Sequence, residues 1–272
     1  MSSFGLPEFA RMGREALSGG DPVAFGVVVA APENPGLVGR RLAWDGESLR
    51  GELDDPAATR AARELLEESG EEAGVRAVPG TGIEMYVERI APPPELVIVG
   101  AGHIAQPLCG IGKLLGWEVA VLDDRPEFAR TDRFPEADRV LVADFDDPFA
   151  EVSIGPRTRL VLVTRGHRYD YDCLRALAAA GADPAYLGMI GSRRRVRAAF
   201  EQLAGEGVDP EWIARIYAPV GLDVGSETPA EIAVAVAAEM VLAHRGGTGR
   251  PLRDEKEVVR YVKALQTAPE AS

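Results

Sequence analysis

In ELVIVGAGHIAQPL, residues 95–108, an apolar run meets Gly100, Gly102 and Ala105 in the order G-x-G-x-x-A, with His103 and Ile104 filling the gap. Each small residue has a physical task. Gly100 makes a tight turn, Gly102 lets backbone approach a pyrophosphate, and Ala105 lets the following helix lie close to the strand. The N–H groups at that helix start, with the positive end of its dipole, suit an anion. A second apolar stretch ends in VAVLDD (119–124). There Asp123 stands where an acid accepts hydrogen bonds from a nucleotide ribose, which favours NAD over NADP. Arg125, two residues on, works against that preference.

Two more segments are rich in reactive side chains. VTRGHRYDYD (163–172) holds Thr164, Arg165, His167, Asp170 and Asp172. His167 suits a proton carrier or a metal ligand, although the spacing fits no metal motif and no metal site is expected. The plainer reading makes Asp170 or Asp172 a helix cap and His167 merely polar. YLGMIGSRRRVR (186–197) places Gly191 and Ser192 before Arg193 and Arg194. Free N–H groups, a hydroxyl and guanidinium forks together make an anion site; a solvated helix face is the alternative. PVGLDVGSETP (219–229) adds a glycine-rich turn with Asp223, as well suited to a hinge or cap as to a ligand contact.

The elements that must position these residues follow from periodicity. Short apolar runs at 95–99, 117–122, 139–142, 159–163 and 185–187 are separated at several points by helical stretches at about 103–115, 168–180 and 192–204. Such alternation predicts an α/β fold with a Rossmann-like, doubly wound parallel sheet. Ligands of such sheets sit beyond the carboxyl ends of the strands, where all these loops converge. Ahead of it, strands at 24–31, 39–46 and 83–90 and a helix at 55–73, capped by Asp54 or Asp55, make a smaller α+β unit. APPP (91–94) disfavours helix and strand pairing and marks a boundary. The expected domains are residues 1–91, 95–225 and a C-terminal helical part at 226–272. The helix at 226–247 is apolar nearly all round, so burial between the domains is expected.

The formal net charge is −13, from 30 basic and 43 acidic residues, which speaks against a general nucleic-acid role. No apolar run approaches the roughly 20 residues that span a bilayer, and no signal peptide is evident, so a cytoplasmic protein is expected. Cys109 and Cys173 lie far apart in apparent helices and read as buried apolar residues before any sulfur-handling role.

VIVGAGHIAQPL, DDRPEFARTDRFPEAD, YLGMIGSRRR and PVGLDVGSETPAEIAVAVAAEMV, in this order over about 95–245, together resemble the XdhC/CoxI family of xanthine dehydrogenase and carbon monoxide dehydrogenase accessory proteins. The resemblance implies a maturation factor that binds the molybdenum cofactor, as molybdopterin or its dinucleotide, assists its sulfuration and delivers it to a molybdenum hydroxylase. It also implies a homodimer and a cysteine desulfurase as a further partner. It leads one to expect a glycine-rich, cysteine-bearing turn after the second strand; GRRLAWDGESLRGELDD has no cysteine and few glycines. The residues alone leave two other readings open. One is an NAD(P)-dependent oxidoreductase with His167 as acid and base, since His103 lies on the phosphate turn and His244 far along the last helix. The other is a nucleotide-sensing module without turnover.

Overall fold

The computed structural model describes residues 4–144 and 146–255, apart from the side chains of His167, Asp254 and Glu255. The expected helical part beyond residue 255 lies outside the described residues. The chain divides into two units, Met1–Pro93 and Pro94–Ser272.

The first unit comprises α1 (Leu6–Leu17), β1 (Val23–Ala30), β2 (Arg41–Trp44), β3 (Leu49–Arg50), α2 (Pro56–Glu67), β4 (Gly74–Val78) and β5 (Ile83–Ile90). Its sheet runs β3-β2-β1-β5-β4 with antiparallel neighbours. Alternation sorts the strand residues onto two faces. Ala24, Val28, Leu42 and Met85 pack with Ala62 and Leu66 of α2, whereas Val23, Phe25 and Ala43 pack with Ala16 of α1. Asp55, not Asp54, caps α2 by accepting from the N–H groups of Ala57 and Ala58. The helix stops at Glu67, short of the expected 73, because the Ser69 hydroxyl donates to the Leu66 carbonyl at 2.6 Å and Arg89 Nε donates to the Ser69 carbonyl at 3.0 Å. The chain then turns into β4.

The second unit alternates: β6 (Glu95–Val99), α3 (Ala105–Leu114), β7 (Glu118–Asp123), β8 (Arg139–Val142), β9 (Thr158–Leu162), α4 (His167–Ala179), β10 (Tyr186–Met189), α5 (Arg193–Gly205), α6 (Pro210–Ala214) and α7 (Pro229–Arg245). Its five strands are all parallel, in the order β10-β9-β6-β7-β8. The path leaves β6 towards β7 and later returns to its other side as β9, so the strand order reverses between β6 and β9. This is the switch point of a doubly wound sheet.

Both sheet faces are covered, which is why the strands read as unbroken apolar runs. Leu96 and Ile98 pack with α3 and α7; Val97 and Val99 pack with α4 and α5. Helix α7 begins with a capping box: Thr228 accepts from the Glu231 N–H, and the Glu231 carboxylate accepts from the Thr228 N–H. It ends at Gly246, whose φ of 70° is left-handed. Helix α7 is buried on one flank and not all round. Ala233, Val236, Ala237 and Met240 are buried, in the core cluster shared with α3, but Val234 is 57 % exposed and Val241 37 %. A helix lying on one layer covers one flank, whatever its composition.

Candidate functional site

Gly100 ends β6 with φ at +108°, a left-handed value that favours glycine. A Cβ here would also stand 2.6 Å from the Val163 carbonyl oxygen of the neighbouring strand end. The Gly100 N–H donates to the Leu122 carbonyl at 2.7 Å, tying the turn to β7 as well. Gly102 differs: a Cβ there would meet nothing within 4 Å. The protein therefore does not itself need glycine at 102 for space; what the glycine leaves open is the mouth of the turn. The backbone N–H groups of Gly102, His103 and Ile104 donate to no acceptor among the described residues. His103 is exposed, Ile104 is the N-cap residue of α3, and Ala105 is fully buried against the sheet.

Asp123, the last residue of β7, is 2 % exposed. Its carboxylate accepts from the Ala101 N–H at 2.7 Å, the Arg125 N–H at 3.0 Å, and Arg125 Nε and Nη2 at 2.8 and 2.9 Å. Burial works to raise the Asp123 pKa, but the Arg125 guanidinium and these backbone donors outweigh it and hold the carboxyl below its usual range. Arg125 in turn lies 3.6 Å over the Phe128 ring. Beside this pair, Arg165 donates to both oxygens of Asp124, at 2.6 and 2.8 Å, and to the Tyr169 hydroxyl at 2.5 Å.

On the far side of Gly100, the Thr164 hydroxyl donates to Asp170, which is fully buried in the first turn of α4. Arg195 Nη2 completes this group as the ion-pair partner of Asp170 and lies 3.4 Å from the Thr164 hydroxyl. Ser192 is the N-cap of α5, accepting from the Arg195 N–H at 3.3 Å, and Gly191 lies against the Arg195 side chain. So the ends of β6, β7, β9 and β10 bring together Gly100, Gly102, Asp123, Arg125, Thr164, Gly191 and Ser192. Arg193 and Arg194 are exposed and form no ion pair among the described residues. Of the three arginines, it is the third, Arg195, that is built into the site, as the partner of the buried Asp170. His167 is the first residue of α4, and its side chain is not among those described. Asp223 is exposed.

Neither cysteine meets this edge. Both are buried. Desolvation pushes the Cys109 thiol up to about 11, and burial, with Asp170 near by, raises Cys173 as well. Both are therefore thiols near neutral pH, not the thiolates that sulfur chemistry uses. Among the described residues, no group of three or more His, Cys, Asp or Glu is placed to hold a metal ion, and no helix is long and apolar enough to cross a membrane.

A doubly wound sheet with a glycine turn opening a helix at its switch point defines a Rossmann domain. The XdhC Rossmann domain family matches residues 96–240, more than half of the chain, and the chain belongs to that family. It is 33 % identical over 171 residues to the Escherichia coli (strain K12) protein "Uncharacterized protein YqeB", covering 62 % of this chain and 31 % of that protein. It is 32 % identical over 157 residues to a probable xanthine dehydrogenase subunit of Bacillus subtilis (strain 168), covering 58 % of this chain and 45 % of that protein. The matched parts thus span less than half of either relative's length. The crystal structure of a xanthine dehydrogenase from Bacillus halodurans shares the fold, with a TM-score of 0.65 at 22 % identity over 90 % of this chain and 67 % of that one.

Proposed function

We propose that this protein is an accessory factor for a molybdenum hydroxylase of xanthine dehydrogenase type, and that its switch-point crevice holds the molybdenum cofactor, as molybdopterin or its dinucleotide. The observation that carries the reading is the open turn at Gly102: three backbone N–H groups without acceptors among the described residues at a helix start, and clear space where any side chain would intrude. That donor set fits a phosphate. Gly102, His103 and Ile104 would hold it, and the cofactor would supply the redox metal centre to the client enzyme. Family membership and the name of the Bacillus subtilis relative support the choice of client.

Sulfuration of the cofactor would need a sulfur donor from outside, since Cys109 and Cys173 are buried; the persulfide of a cysteine desulfurase, whose outer sulfur is passed on while its own cysteine is left as a thiol, fits that need. A homodimer is part of the same proposal. Thermal unfolding tests the reading. Molybdopterin or its dinucleotide at a hundred times its dissociation constant should stabilise the protein by roughly 2.7 kcal/mol. Stabilisation by NAD instead, with turnover of a reducible substrate, would replace the accessory role with an oxidoreductase. Stabilisation by NAD without turnover would make the domain a nucleotide sensor.

A further inference from the structure

The acid at the end of the second strand of a dinucleotide fold accepts hydrogen bonds from a ribose hydroxyl, which requires lone pairs free towards the crevice. Asp123 has that position, but not that freedom. A carboxylate offers about four acceptor positions, and the protein supplies four donors: the N–H groups of Ala101 and Arg125, and Arg125 Nε and Nη2. The bidentate guanidinium is itself held in place, 3.6 Å over the Phe128 ring, with Arg133 against the same ring at 4.7 Å. Two of its five N–H donors are spent on Asp123.

We infer that Arg125 is a specificity-determining residue: it caps Asp123, so that the crevice holds its ligand by phosphate and does not read a ribose diol at the β7 end. The inference rests on the phosphate-turn reading above, and narrows the ligand class to phosphate compounds for which an adenosine ribose adds nothing.

Isothermal titration of pyrophosphate and of ADP-ribose into the wild type, R125A and the double variant R125A/D123N separates the two ideas. In the wild type the two affinities should agree within about threefold. In R125A the ratio of ADP-ribose to pyrophosphate affinity should rise roughly tenfold or more, the size of a hydrogen bond to a charged group, and D123N should cancel the rise. A wild type that prefers ADP-ribose about tenfold overturns the inference, and needs no variant to fold. Tight binding of 2′-phospho-ADP-ribose that R125A abolishes also overturns it. If pyrophosphate binds wild type and R125A but the ratio does not move, the inference alone fails. If pyrophosphate binds neither, the phosphate turn fails and this inference falls with it.

Discussion

The two glycines of the turn do different work, and substitutions tell them apart. Gly100 is fixed by the fold: its left-handed φ and a strand carbonyl 2.6 Å from any Cβ make Gly100→Ala a folding variant, with a lower melting temperature whether or not ligand is present. Gly102 is open, so Gly102→Val should keep the wild-type melting temperature and lose affinity for a phosphate ligand; unchanged affinity would take the turn out of the site. Asp123 gives a pH signature. Its folded pKa lies below the unfolded value of 3.8, so its contribution is fully present above 3.8 and is lost as pH falls below that towards the folded value. The stability difference between wild type and Asp123→Asn, followed by urea unfolding from neutral pH downwards, should hold steady and then shrink below that point. The place of Asp123 at the end of the second strand was legible from its spacing; its saturation by four donors was not, because it depends on where the Arg125 side chain folds back. Arg193 and Arg194 drew attention as charges, yet geometry builds in Arg195, since a helix start exposes its first residues and turns the third inwards. Should the double change of Arg193 and Arg194 to Ala leave phosphate affinity and its salt dependence untouched, these two belong to a solvated face.

At the scale of elements, β6, β7 and β9 could be read within a residue or two because strands buried on both faces are continuously apolar. Helices α3, α4 and α5 followed from their periodicity and α7 from its caps. Edges were harder. Strand β4 alternates half-buried and exposed residues, fully buries only Val78 and contains an arginine, so its sequence carries little apolar signal. Helix α1 turns Phe9, Met12 and Ala16 onto Val23 and Phe25; its apolar spacing was present in the sequence but was not read as a helix there. Two changes test the elements that hold the site. Thr228→Ala removes the capping box of α7 and should cost about 1 kcal/mol in chemical unfolding. Asp170→Ala strips Arg195 of its buried partner and uncouples α4 from α5; a loss of about 3 kcal/mol is expected, with Arg195 partly able to reach water.

For the whole molecule, the sheet order makes one edge the meeting place of the loops after β6, β7, β9 and β10, and composition sets the field around it. A net charge of −13 repels polyanions. The small positive cluster at the start of α5 therefore suits a compact anion, and duplex DNA should not be retarded by the protein in a gel shift even at low salt. The two cysteines lie in different halves of the second unit: Cys109 in the layer shared by α3 and α7, Cys173 in the layer shared by α4 and α5. They are native clocks for the opposite sides of one sheet. A thiol reagent that modifies both at the same slow pace, matched to global unfolding, would mean the layers come apart as a unit. Earlier modification of Cys109 would mean that the side carrying α3 and α7 breathes on its own, ahead of the rest of the sheet.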